Sequence, residues 1–116
     1  MKKAYILNSC STCQRILKEI NWVGDIQNIK EENIDEKTLD KLANEHGSYE
    51  ALFSKRAMKY RSLGLNEIDL SEKDYKAWML KEYTFLKRPF ILFDNISFIG
   101  NSKKVVAQII ESMQNA

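Results

Sequence analysis

The chain has two cysteines, Cys10 and Cys13, and only two residues separate them. They follow a short apolar run and precede a segment whose apolar residues recur at helical spacing. A sulfur at the start of a helix faces unpaired backbone N–H groups and the positive end of the helix dipole, and both lower the pKa of a thiol. We therefore predict that Cys10 is a nucleophile and that Cys13, one turn further on, is its resolving thiol.

Two other interpretations of the cysteine pair remain open from the residues alone. Both thiols could be small buried groups that pack the start of the helix, since free cysteine behaves as a small hydrophobe. A structural zinc site is the weaker alternative, because it needs four ligands and the chain offers only two thiols and one histidine, His46. We expect no metal.

Composition favours one globular domain. The 116 residues are 44% hydrophobic and 29% charged, with four glycines and one proline, and the formal net charge is +2. Basic residues do not cluster into a block, so we expect no direct nucleic-acid binding. No apolar run approaches the length needed to span a bilayer, so we expect no membrane helix and predict a cytoplasmic protein. In a reducing cytosol, a close cysteine pair favours redox chemistry over a structural disulfide.

The order of predicted elements is β-α-β, a helical block, then β-β-α. The first helix is expected to end at Gly24, and a modest strand follows from Asp25. In the helical block, the pattern predicts a helix from Asp35 to Gly47, a helix over 49–63, and a helix capped by Ser71 and Asp74. Two apolar runs, 90–93 and 96–99, predict a hairpin before a final helix that follows Gly100.

This order predicts an α/β protein with a thioredoxin-like fold, a mixed four-stranded sheet and an inserted helical segment. We assign residues 1–116 to a single domain, with the insertion at about 34–84. Pro89 opens the third strand, where that fold carries a cis proline beside the nucleophilic cysteine. Arg88 would then bring a permanent positive charge to the thiolate.

Four stretches together resemble the arsenate reductase (ArsC) family, which also includes the Spx regulators and uncharacterised members. They are CSTC after the first strand, SKRAMKYRSLGL from Ser54, KRPFILFD from Lys87, and FIGN before the last helix. The resemblance implies a thiol oxidoreductase, in its most specific form an arsenate reductase that uses glutathione and glutaredoxin as reductant and no resident cofactor. In the reductases, the cysteine matching Cys10 attacks arsenate and arginines hold the oxyanion.

The resemblance assigns an expected role to individual residues of this chain. Cys10, Cys13 and Arg88 are the predicted catalytic residues, and the predicted substrate-binding residues are Arg56, Ser11, Thr12 and Pro89. The expected substrate is a small oxyanion or a disulfide, with glutaredoxin or thioredoxin as a partner.

The chain departs from the reductases at two of their arginine positions. Ser54 stands where the insertion arginine would be, and Arg56 matches the arginine of Spx and of some uncharacterised members. Asn101 stands where the reductases have an arginine after the glycine. The second cysteine is also more typical of Spx. The alternative function is therefore an Spx-like redox sensor that binds the RNA polymerase α subunit.

Overall fold

The computed structural model describes residues 2–114, and within them four strands and five α-helices. The strands are β1 (Lys3–Ile6), β2 (Asp25–Asn28), β3 (Phe90–Leu92) and β4 (Ser97–Ile99). The helices are α1 (Ser11–Glu19), α2 (Glu36–His46), α3 (Met58–Ser62), α4 (Glu72–Lys81) and α5 (Lys103–Gln114).

The chain divides into two compact units, residues 1–32 with 88–116, and residues 33–87. The predicted insertion, about 34–84, falls inside the second unit. The assignment of 1–116 to a single domain stays a prediction, and residues 1, 115 and 116 of that range lie outside the described residues. None of the helices within 2–114 is long and apolar enough to cross a membrane.

The first unit contains a mixed four-stranded sheet with the order β2-β1-β3-β4. β1 pairs in parallel with β2 and antiparallel with β3, which pairs antiparallel with β4. The mixed sheet and the hairpin are confirmed. Ala4 lies opposite Ile91, which lies opposite Phe98, so these three side chains share one face of the sheet.

Helices α1 and α5 bury their apolar stripes in one core with that face of the sheet. The helix residues in this core are Cys13, Ile16, Leu17, Ile20, Val106 and Ile109. Ser102 caps the start of α5, since its hydroxyl accepts the Val105 N–H at 3.1 Å. The core therefore fixes the start of α1, where the cysteines lie, against β1.

Helix α1 ends earlier than expected. Its last residue is Glu19, and Asn21 adopts φ +53° before the chain reaches Gly24. Gly24 instead permits a close approach, since a Cβ there would lie 2.5 Å from the Trp22 ring and 2.8 Å from the Lys2 carbonyl oxygen. The predicted helix end at Gly24 is therefore wrong by several residues.

The second unit is helical, and two of its predicted helices are confirmed. Asp35 caps α2 by accepting the Thr38 N–H at 2.9 Å, and Gly47 ends α2 with φ +97°. Ser71 and Asp74 form a capping box at the start of α4, with bonds of 3.2 and 2.9 Å.

The predicted continuous helix over 49–63 is confirmed only at its end, over Met58–Ser62, and is wrong before it. A short 3-10 turn, Glu50–Leu52, is followed by extended backbone, and α3 begins only at Met58. Phe53 forms an isolated antiparallel bridge with Leu86, and the Ser54 N–H donates to the Phe85 carbonyl at 2.7 Å. These long-range hydrogen bonds, together with the stacking of Phe53 on Phe85, favour extended backbone over the local helical periodicity.

Candidate functional site

Cys10 lies at the junction between β1 and α1, as the N-cap residue of the helix. Its N–H donates to the Leu7 carbonyl at 2.9 Å, which closes the turn after the strand, and its own carbonyl accepts the Gln14 N–H at 3.2 Å. The Cys10 side chain makes no capping hydrogen bond, and the first turn of α1 contains no acidic residue. The first amides of α1 therefore present their positive ends to the sulfur without a competing carboxylate.

Two amide side chains hold the loop that carries Cys10. Asn28, the last residue of β2, accepts the Asn8 N–H at 3.2 Å and the Lys30 N–H at 3.4 Å. Gln14 donates from Nε2 to the Asn8 carbonyl at 3.3 Å. Sequence reasoning did not find Asn28, although its place at the carboxyl end of a strand parallel to β1 was a usable signal.

Cys10 is half-buried, and its environment favours the thiolate. Partial burial raises the pKa of the thiol, but the backbone amide and thiol of Cys13, the Arg88 charge and the Thr12 amide act in the opposite direction, and the pKa falls below the ordinary 9.0. Of the two thiols, Cys10 has the lower pKa and is the more readily ionised.

Cys13 has the opposite environment, although it lies in the same helical turn. Its side chain is fully buried in the core, and both cysteines are free thiols. Burial raises the pKa of Cys13 to about 11, and the neighbouring Cys10 thiol contributes in the same direction. Cys13 is therefore protonated at neutral pH.

Arg88 and Pro89 directly precede β3, which pairs with β1, the strand that leads to Cys10. The peptide bond between them is cis, as predicted, and Pro89 is buried. The Arg88 charge acts on both cysteine sulfurs. The Arg88 carbonyl accepts a hydrogen bond from Asn101 Nδ2 at 3.2 Å. Sequence reasoning treated Asn101 only as a missing arginine and did not find this contact.

The remaining predicted substrate-binding residues fall in both units. Ser11 is exposed and Thr12 half-buried in the first turn of α1, and the Thr12 amide helps to lower the pKa of Cys10. Arg56 is exposed in the second unit, in the segment between the 3-10 turn and α3. Its role in anion binding stays a prediction.

No cluster of three or more histidine, cysteine or acidic side chains in residues 2–114 is arranged to hold a metal ion.

A mixed β-sheet that packs against helices, with a CxxC motif at the start of the first helix, defines a thioredoxin-like protein. The family model of the ArsC family matches residues 5–109, and the chain belongs to this family. No curated protein sequence matches the chain.

Solved structures of ArsC-type proteins share the fold over almost the whole chain. The YFFB protein is 22% identical with a TM-score of 0.80, covering 95% of this chain and 99% of its own. An arsenate reductase from Vibrio cholerae is 17% identical with a TM-score of 0.75, covering 95% of each chain. An arsenate reductase (ArsC) related protein from Brucella melitensis is 20% identical with a TM-score of 0.66, covering 89% and 88%. These likenesses establish the thioredoxin-like fold.

Proposed function

We propose that the protein is a thiol oxidoreductase in which Cys10 is the nucleophile and Cys13 the resolving thiol. The observation that carries the proposal is the position of Cys10 at an uncapped helix N-terminus, half-buried and beside the Arg88 charge. This environment favours the thiolate of Cys10, whereas burial keeps the thiol of Cys13 protonated. A pair of structurally inert thiols would not require such different environments.

The proposed reaction takes two electrons from the dithiol. The Cys10 thiolate attacks the electron-poor centre of the substrate and forms a covalent bond, and a hydroxide or thiolate leaves. Cys13 then loses its proton and attacks the Cys10 sulfur. The new S–S bond forms as the bond between Cys10 and the substrate breaks, and the electron pair stays with the substrate. The products are a Cys10–Cys13 disulfide and a reduced substrate.

Arsenate is the most specific substrate that we propose. The Cys10 sulfur would displace one oxygen of arsenate as water, and attack by Cys13 would release arsenic(III) as arsenite. Arg88 is the proposed ligand of the oxyanion, because its forked guanidinium matches two oxygens of an anion. Arg56, Ser11 and Thr12 are the further proposed ligands. Glutathione with glutaredoxin, or thioredoxin, would return the disulfide to the dithiol. We place this reaction in the cytoplasm.

A disulfide substrate is the second form of the same chemistry. The two sulfurs of a disulfide carry no charge, so its reduction requires the Cys10 thiolate and the resolving Cys13 but no cluster of arginines. Asn101 is neutral, and its amide donates to the Arg88 carbonyl. With Asn101 at this position, the site carries one positive charge fewer than it would carry with an arginine there.

The alternative function is an Spx-like redox sensor that binds the RNA polymerase α subunit. The presence of a second free thiol one turn from Cys10 favours it, because a Cys10–Cys13 disulfide would change the start of α1 without any substrate. This alternative requires a stoichiometric complex whose affinity differs between the dithiol and the disulfide.

The deciding experiment is arsenate-dependent oxidation of NADPH, coupled through glutathione reductase, glutathione and glutaredoxin. Turnover by the wild-type protein that Cys10→Ser abolishes would establish arsenate reduction. Cys13→Ser, the matched control, should slow turnover if Cys13 resolves the adduct and leave it unchanged if glutathione does.

Absence of arsenate turnover with glutathione and glutaredoxin, and again with thioredoxin and thioredoxin reductase, would exclude arsenate as substrate. A disulfide substrate would then be tested in the same coupled assays. Failure of both substrates, with α-subunit binding that depends on the redox state, would move the assignment to the sensor. Cys10 alkylation at the rate of an ordinary thiol would overturn the proposed thiol chemistry itself.

A further inference from the structure

The peptide between Arg88 and Pro89 has one hydrogen-bonding group through which it can be held. Proline has no N–H, so this peptide offers only the Arg88 carbonyl. That carbonyl accepts the bond from Asn101 Nδ2 at 3.2 Å. The neighbouring Pro89 carbonyl accepts the Gly100 N–H at 3.0 Å. Two consecutive residues after β4 therefore hold two consecutive carbonyls before β3.

Strand register explains why a side chain is needed at Asn101. The ladder between β3 and β4 pairs Phe90 with Ile99, so Pro89 lies opposite Gly100 and Arg88 opposite Asn101. Gly100 has φ +95°, a conformation that glycine adopts without steric penalty, and the chain turns there from β4 towards α5. The side-chain amide of Asn101 adds one hydrogen bond beyond the last backbone hydrogen bond between the β3 and β4 segments.

We propose that Asn101 is a positioning residue that holds the Arg88–Pro89 peptide and thereby keeps the Arg88 guanidinium beside Cys10. The inference rests on the proposed function, since it treats Cys10 as the reactive thiol. Asn101 acts through Arg88, because its amide group is already used on the Arg88 backbone. Its side chain is exposed and outside the core, so its replacement leaves the buried packing of the unit intact.

The test is the pH profile of Cys10 alkylation by iodoacetamide, with the modified cysteine identified by fragmentation mass spectrometry. Cys13 is fully buried, so alkylation below pH 9 reports on Cys10. Asn101→Leu keeps a similar volume but cannot donate, whereas Asn101→Gln keeps the donor. We expect Asn101→Leu to move the profile to higher pH and to slow alkylation at pH 7 several-fold, and Asn101→Gln to restore part of the rate.

Ser102→Ala is the matched control. It removes the hydroxyl that accepts the Val105 N–H at the start of α5 and leaves the Arg88 carbonyl untouched. We expect its pH profile to equal that of the wild type. An equal shift in Ser102→Ala and Asn101→Leu would overturn the proposal, since loosening of α5 alone would then account for the effect.

A double-mutant cycle separates action through Arg88 from any other effect. In an Arg88→Gln background, Asn101→Leu should change the alkylation profile no further. A full additional shift would overturn the proposal, and so would an unchanged profile in Asn101→Leu on the wild-type background, while the proposed function would stand. Ordinary thiol reactivity of Cys10 in the wild type would instead overturn the proposed function and this inference together.

Discussion

Helices α1 and α4 begin with the same spacing of side chains but use it differently. Ser71 and Asp74 occupy the N-cap and third positions of α4, and each bonds the backbone N–H of the other. Cys10 and Cys13 occupy the same two positions of α1, and the Cys10 side chain caps nothing. The CxxC motif therefore stands where a capping box would otherwise satisfy the helix.

The difference shows how a helix N-terminus is used for stability in one case and for chemistry in the other. A capping side chain contributes about 1 kcal/mol by satisfying amides that the helix leaves unpaired. In α1 those amides lower the pKa of Cys10 instead. The sequence spacing is shared, and the residue types decide which use is made of it.

Replacing Cys10 by serine should have the largest effect on reactivity, because it gives α1 the same N-cap residue as α4. Cys10→Ser should abolish rapid alkylation and all turnover, since no thiolate remains. Serine is a preferred N-cap residue, so the same variant should be more stable by up to about 1 kcal/mol. Denaturant unfolding and alkylation together test this, and a less stable variant would contradict the view that α1 is uncapped.

Cys13 should make the protein less stable in alkaline solution. Its folded pKa is raised from 9.0 to about 11, so the unfolded chain loses this proton first and stability falls as pH rises from 9 to 11. Two pKa units correspond to about 2.7 kcal/mol, a loss that is nearly reached at pH 11 and complete above it. Unfolding free energies of the wild type and Cys13→Ala, each compared with its own value at pH 8, measure this slope. Parallel slopes would show that Cys13 ionises normally in the folded state.

Arg88 should have an intermediate effect on the chemistry of α1. Arg88→Gln removes a positive charge that lowers the pKa of Cys10, so the thiolate fraction falls and alkylation at pH 7 should slow several-fold. Arg15→Gln is the control, since it removes an equal charge from an exposed side chain of α1 that pairs with Glu19. Equal rates in both variants would show that long-range charge, and not Arg88 itself, acts on the thiol.

The smallest effect should come from α4. Ser71→Ala removes one half of the capping box and should lower the unfolding free energy by about 1 kcal/mol, with no change in Cys10 alkylation. Ser71→Thr should restore most of that stability. A change in alkylation would show that α4 influences Cys10, contrary to the separate roles proposed for the two helix starts.

Local patterns in the sequence predicted the elements whose hydrogen bonds are local. The capped helices α2 and α4, the hairpin of β3 and β4, and the position of Cys10 at a helix start were all predicted and found. The cis bond before Pro89 was expected from the fold that these elements imply. The helices and the hairpin depend on residues close together in the chain, whose spacing is visible in the sequence.

Tertiary structure decided the features that depend on distant residues. The segment 49–63 has helical periodicity, but the bridge between Phe53 and Leu86 holds part of it extended. The contact of Asn101 with the Arg88 carbonyl depends on strand register and on the turn at Gly100, neither of which residue types reveal. Sequence by itself determined which thiols could react. Strand pairing in the sheet decided which other side chains lie near these thiols, because hydrogen bonds between strands join residues far apart in the chain.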